Sequence, residues 1–81
     1  MKILMTPIEM IAWFTKDGVP KPIRFKLDEL VVKVQVISKS EERLAGNRMI
    51  VYRCQSEING ELKQFELKYE INTFKWYLFK M

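Results

Sequence analysis

Histidine is absent from the 81-residue chain, which also has only one cysteine, three glycines and three prolines. Without histidine the chain lacks the commonest general base and the usual nitrogen ligand for metals. A lone cysteine, Cys54, forms neither an intrachain disulfide nor a thiolate zinc cluster. The strand pattern puts Cys54 on the same face as Tyr52, with Arg53 on the opposite face, which favours a buried structural thiol. The glycines lie in three separate turns and build no phosphate-binding loop. We therefore predict no catalytic, cofactor-binding or metal-binding residues, and a protein that is not an enzyme.

Long hydrophobic runs are also missing. The apolar start of the chain is interrupted by Thr6-Pro7-Ile8-Glu9 before the core of a signal peptide can form. No segment approaches the roughly 20 apolar residues of a membrane span. We therefore expect a cytoplasmic protein that does not enter membranes. The length supports a single domain over residues 1–81.

What the sequence does contain is a clear hairpin signal, Asn59-Gly60, between two runs that alternate apolar and polar residues. An Asn-Gly pair readily adopts the two positive φ angles of a type I′ turn. The alternation after this turn places Phe65, Leu67 and Tyr69 on one face of a strand. We predict a two-residue turn between paired antiparallel strands, with these three side chains buried together.

The same alternation predicts most of the other strands. The segments involved are Pro22–Leu27, Leu30–Val36, Arg48–Glu57, Leu62–Ile71 and Phe74–Lys80. The Leu30–Val36 run is the richest in β-branched residues and is predicted to be a central strand. Residues 38–47 are predicted to form a polar connection, in which Ser40 fits the cap of a helical turn that Gly46 or Asn47 ends.

Residues 7–15 fit two structures. Thr6 and Glu9 match a capping box at the start of a helix. Trp13 and Phe14 favour extended structure instead, and a turn at residues 16–18 then leads into the next extended segment. We favour the strand.

Together these segments predict an all-β domain, an antiparallel meander of five or six strands that curls into a barrel or roll. Several strands are apolar on both faces, and this excess needs a partner. Either both sides of a roll are covered within the chain, or a face docks a second copy or another protein. For the second case the predicted interface residues are Val31, Met49, Val51 and Tyr77, and we expect a dimer.

Two functions are compatible with these features. The first is a non-enzymatic interaction or assembly module that pairs with itself or with another protein through the spare apolar face. The second is nucleic-acid binding, favoured by the net charge of +4 and a pI near 9.3. Its predicted residues are Lys75, Tyr77, Phe79 and Lys80, because the last strand interleaves cations with aromatic rings. In the competing interpretation Tyr77 and Phe79 are buried on the second face.

The chain also resembles a known group of sequences. The pattern comprises Asp17-Gly18-x-Pro20, Pro22-Ile23-Arg24-Phe25, a valine-rich strand, and Glu66-Leu67-Lys68-Tyr69-Glu70 followed by Trp76-x-Leu78. It is similar to small uncharacterised bacterial all-β domains, some of which are encoded near translesion DNA polymerases. The chain departs from the polymerase-associated group in lacking its arginine-rich and tryptophan-rich middle strands. The resemblance implies no activity and no functional residues.

Overall fold

The computed structural model describes residues 1–81 and consists of eight β-strands with no helix. The strands are β1 (Ile3–Ile8), β2 (Met10–Phe14), β3 (Pro20–Leu27), β4 (Leu30–Lys33), β5 (Gln35–Leu44), β6 (Asn47–Ile58), β7 (Glu61–Glu70) and β8 (Lys75–Lys80). The structure therefore contains no helix that could span a membrane.

The strands form two antiparallel sheets. The large sheet has the order β1-β8-β7-β6-β5, and the small sheet has the order β2-β3-β4. The chain leaves the large sheet at Glu9, builds the small sheet, and returns after Val34. The all-β antiparallel class is therefore confirmed. The strands number eight rather than five or six, and neither sheet closes on itself, so the predicted barrel or roll is not confirmed.

The hairpin between β6 and β7 has the predicted geometry. Asn59 and Gly60 have φ angles of 51° and 81°, and the strands pair from this turn onward. Phe65, Leu67 and Tyr69 on β7 are all buried, as the alternation predicts. Two positive φ angles match the right-handed twist of the flanking strands, which explains why Asn-Gly sets the register here.

One core lies between the two sheets. From the small sheet, Phe25 meets Phe65 edge to face, with ring centroids 5.6 Å apart. The Tyr52 hydroxyl of β6 donates a hydrogen bond to the Pro20 carbonyl of β3, which joins the sheets a second time. The buried cluster comprises Phe25, Val32, Tyr52, Cys54, Ile58, Phe65, Leu67, Tyr69, Trp76 and Leu78. Because both sheets contribute to one cluster, neither is an independent unit.

The predicted central strand over residues 30–36 is wrong. The segment is divided at Val34 into β4 and the start of β5, and each of these is an edge strand of a different sheet. The Val34 amide still bonds the Ile23 carbonyl at 2.9 Å, so the chain changes sheets without losing a backbone hydrogen bond. Apolar alternation reports which face is buried and contains no information about which sheet buries it.

The predicted connection over residues 38–47 is also wrong. Residues 35–44 form β5, and Ala45 and Gly46 make a two-residue turn with φ angles of 52° and 81°. Nearly all of β5 is exposed, so its side chains show no apolar alternation. Pairing with β6 satisfies its backbone regardless of side-chain type, which is why a polar segment is a strand here.

Two aromatic or apolar side chains lie outside the predicted faces. Ile23 is exposed because a β-bulge between β2 and β3 adds a residue at this point and reverses the alternation. Phe74 lies in the turn before β8 rather than in that strand, and it is exposed. In the N-terminal segment the strand interpretation is confirmed, with β1 and β2 in place of a helix.

Candidate nucleic-acid interface

The outer face of the small sheet carries an array of cations and exposed apolar groups, which we call the basic face. Strand pairing sets its rows. Trp13 is opposite Lys21, and Lys26 is opposite Val31. Between these rows, Arg24 is opposite Ile11 on one side and Lys33 on the other. Residues directly opposite each other point to the same side of a sheet. All seven are exposed, whereas Pro22 and Phe25 between them on β3 are buried, so the seven side chains share this face.

The three strands of this face contain no negatively charged residue. Strands β2, β3 and β4 contain four cations, namely Lys21, Arg24, Lys26 and Lys33, and no aspartate or glutamate. The nearest carboxylates along the chain, including Glu9 and Asp28, stand outside the strands, and Glu9 borders the face, where it lines a pocket with Arg24. The other ten Lys and Arg residues of the chain equal the ten Asp and Glu residues in number. The basic face therefore accounts for the whole net charge of +4.

The cations of the basic face lack partners within the chain. The three ion pairs are formed by Arg48 with Glu41, Lys63 with Glu61 and Lys68 with Glu42. In contrast, Arg24 and Lys33 oppose each other directly, an arrangement that destabilises a sheet. The exposed positive charges thus remain available to an anion from outside.

Trp13 supplies the flat apolar surface of the basic face. Its side chain is 69% exposed, and the aliphatic groups of Ile11, Ile23 and Val31 are exposed around the same sheet. A tryptophan in this position offers a ring face on which a nucleobase can stack, and stacking contributes about 1–3 kcal/mol per base. Lys21 is directly opposite Trp13, and the four exposed cations of the basic face match the charge of a phosphate backbone.

The last strand carries the nucleic-acid residues predicted from the sequence, and its charges are balanced. Tyr77 is opposite Lys68, whereas Lys75 is opposite Glu70 and Lys80 is opposite Glu66. The Phe79 ring lies 3.7 Å from the ammonium of Lys68 and 5.0 Å from that of Lys80. Tyr77 and Phe79 are half-buried. The structure therefore brings aromatic rings and cations together here, but it places carboxylates among them; binding at this strand stays a prediction.

The predicted interface residues do not form one patch. Met49, Val51 and Tyr77 belong to the outer face of the large sheet, as their pairing with Glu70 and Lys68 shows. Val31 belongs to the outer face of the small sheet, on the other side of the molecule. Met49 is only 8% exposed, so it has little surface to offer a partner.

Cys54 lies in the core between the sheets, on the side of Tyr52, as predicted. Burial raises the pKa of its thiol to about 12, and the charge of Glu66 acts in the same direction. A thiol with so high a pKa is protonated at neutral pH, and the protonated form is a poor nucleophile. No cluster of three or more His, Cys, Asp or Glu side chains lies together in the structure.

A second surface feature is an open groove of about 830 Å³ where the two sheets diverge. The rings of Phe14, Tyr69 and Trp76 form much of its wall, with Phe74 at its edge. Phe14 meets Tyr69 edge to face at 6.3 Å, and Tyr69 lies 4.8 Å from Trp76.

The turn beside this groove is held by Glu70. Its carboxylate accepts hydrogen bonds from the Thr73 hydroxyl and from the Asn47 side-chain amide, the latter at 2.8 Å. Bonds from Thr73 first and then from Asn47 lower the pKa of Glu70. The Phe74 amide adds a backbone bond to the Glu70 carbonyl at 2.9 Å. Hydrogen bonds of both side chains and backbone therefore fix the turn.

Comparison of the chain with family models, with curated proteins and with solved structures finds no match. The resemblance to domains encoded near translesion polymerases stays a prediction. Sequence reasoning missed the basic face, although a signal for it was present. Cations recur through residues 21–33 with carboxylates only at Asp28 and Glu29, and Trp13 precedes them. The bulge at Ile23 hides this signal, because it reverses the alternation in the middle of β3.

Proposed function

We propose that this chain is a non-enzymatic module that binds single-stranded nucleic acid through the basic face. The observation that carries this proposal is the concentration of the entire net charge, without internal ion pairs, on the sheet face that also exposes the ring of Trp13. Single strands are the favoured ligand because only unpaired bases expose the ring faces that stack on an aromatic side chain.

The basic face is better suited to a polyanion than to a second copy of the chain. A two-fold contact brings identical patches together, so Arg24 and Lys33 of one copy would approach the same cations of the other. Like charges brought together across an interface are strongly unfavourable. Phosphates, in contrast, neutralise the cations and release counterions, a gain that weakens as salt concentration rises.

The direct test is a titration of a labelled oligothymidylate with the protein, followed by fluorescence anisotropy at low salt. We expect a dissociation constant no weaker than the range of nonspecific binding, about 10⁻⁴–10⁻⁶ M. With four cations engaged, the logarithm of the association constant should fall against the logarithm of salt concentration with a slope of about −3. The Trp13→Ala variant should bind about 5- to 150-fold more weakly, which corresponds to the loss of one stacked base.

Charge-matched variants distinguish the two candidate surfaces. The double substitution Lys21→Gln with Lys33→Gln removes two cations of the basic face, whereas Lys75→Gln with Lys80→Gln removes two cations of the last strand. We expect only the first pair to weaken binding and to reduce the salt slope, by about 0.7 per cation. The reverse result would place binding on the last strand. No anisotropy change at any protein concentration would overturn the proposed function.

A further inference from the structure

Phe74 combines exposure with an unfavourable backbone conformation. Its side chain is 77% exposed, and its φ angle is 61°. The left-handed region suits glycine or asparagine, and a bulky residue there is an outlier that the surrounding structure must enforce. Here the bonds from Thr73 and Asn47 to Glu70 hold the preceding residues, and the Phe74 amide bonds the Glu70 carbonyl. The fold thus holds an aromatic ring in solvent, at the edge of an aromatic groove, against its local preference.

The groove beside Phe74 is large enough to receive such a ring. Its volume of about 830 Å³ lies in the range of pockets that bind small molecules. Nine of its thirteen lining residues are hydrophobic, and Ile50 and Ile71 add aliphatic surface to the rings of the wall. Phe14, which also lines the groove, is half exposed. The same surface patch therefore carries an apolar projection and an apolar depression.

The groove also carries one charge of each sign. Arg48 donates from Nε and Nη2 to a single oxygen of Glu41, Oε1, at 2.7 Å and 2.6 Å. The other oxygen of Glu41 and the Nη1 of Arg48 take no part in this pair. Both side chains are about half exposed. Because a two-fold contact that places one residue against a second also places the second against the first, Arg48 of each copy can face Glu41 of the other, and a patch with both signs can complement itself.

We propose that two copies of this chain associate about a two-fold axis through this groove, with Phe74 of each copy inserted into the groove of the other. In this arrangement Arg48 of one copy approaches Glu41 of its partner. The basic faces of the two copies stay outside the contact. This proposal does not depend on nucleic-acid binding.

Sedimentation velocity over micromolar to millimolar protein tests the association. We expect a monomer–dimer equilibrium in the natural chain. Asparagine tolerates the left-handed conformation, so Phe74→Asn should keep the fold intact while its dimer dissociation constant rises roughly 30-fold, as for loss of an interface hot spot. Leu62→Asn is the matched control, since Leu62 is exposed on β7 at the other end from the groove, and it should leave dimerisation unchanged.

Charge reversal supplies a second test, which distinguishes an interface role of Arg48 and Glu41 from a purely structural one. Arg48→Glu makes the groove charges all negative, and Glu41→Arg makes them all positive. We expect each variant alone to be monomeric and the equimolar mixture to dimerise. A monomer at millimolar concentration in the natural chain would overturn the proposal. So would equal dimerisation of Phe74→Asn, or tight binding of a small aromatic ligand with no change in oligomeric state.

Discussion

Arg24 on β3 and Lys33 on β4 are directly opposite each other in the small sheet, and neither contributes to the three ion pairs of the chain. Such a pair costs stability, because like charges repel at the short distance of a cross-strand contact. Proteins retain costly local arrangements at functional sites, where a ligand compensates for them. The opposed pair is therefore a reason to assign binding to this face, in addition to its charge.

The first prediction compares the lysine-to-glutamate substitution at positions 33 and 75. Lys33→Glu replaces a repulsion with Arg24 by an attraction, so the free energy of unfolding should rise by roughly 0.2–1 kcal/mol at low salt. Lys75→Glu does the opposite, because Lys75 is opposite Glu70, and should lower it. Urea unfolding of both variants measures these changes. The stabilised Lys33→Glu variant should bind oligothymidylate more weakly; stability and binding that fall together would mean that Lys33 is only structural.

The second prediction concerns two turns of the same geometry. Ala45 and Asn59 occupy the first central position of their turns, with φ angles of 52° and 51°. A residue with a Cβ atom is disfavoured there by roughly 1–2 kcal/mol, and asparagine tolerates this conformation much better than alanine. Ala45→Asn should therefore raise the unfolding free energy by about 1 kcal/mol, and Asn59→Ala should lower it by a similar amount. Changes of the same sign would contradict this explanation.

The third prediction is a loss of stability in alkaline solution. Burial raises the pKa of Cys54 from 9.0 to about 12 and that of Tyr52 from 10.0 to about 12. Above pH 9 the unfolded chain loses these protons more easily than the folded chain does, so stability is complete below pH 9 and falls between pH 9 and 12. Thermal unfolding against pH measures this fall. Cys54→Val should reduce it, and a natural chain with constant stability to pH 12 would contradict the burial of both groups.

The fourth prediction concerns the turn that positions Phe74. Because Thr73 and then Asn47 lower the pKa of Glu70, the variants Thr73→Val and Asn47→Ala should each raise it toward its ordinary value of 4.5. The stabilisation that Glu70 provides is present above pH 4.5 and is lost as pH falls through the lowered pKa. Carbon-detected NMR titration of the side chain follows both effects. An unchanged pKa in both variants would show that these hydrogen bonds do not form in solution.

The parts of the fold that were predicted correctly are those governed by local chemistry. Asn59-Gly60 sets a turn by backbone conformation alone, and the alternation beyond it correctly places Phe65 and Leu67 in the core. The errors arise where the outcome depends on partners far along the chain. The change of sheets at Val34 and the pairing of exposed β5 both follow from tertiary contacts, which periodicity does not report.

The candidate site was missed for a similar reason. The expected meander already placed the strands of Trp13 and Lys33 two strands apart, as in the structure. What it lacked was the bulge at Ile23, which puts Lys21 on the same face as Arg24. Nucleic-acid binding was predicted for the last strand because its aromatic residues and cations are adjacent in sequence. The carboxylates that balance them, Glu66 and Glu70, come from the neighbouring strand. Only the strand register reveals that compensation.

Amide chemical-shift mapping can show directly whether the basic face binds single-stranded nucleic acid. A ¹⁵N-labelled sample is titrated with unlabelled oligothymidylate at low salt, and the indole signals of Trp13 and Trp76 are followed together with the amides. We expect the shifts to concentrate in β2, β3 and β4, with the exposed Trp13 indole strongly affected and the buried Trp76 indole little changed. Shifts confined to β8, or no shifts at millimolar oligonucleotide, would contradict it.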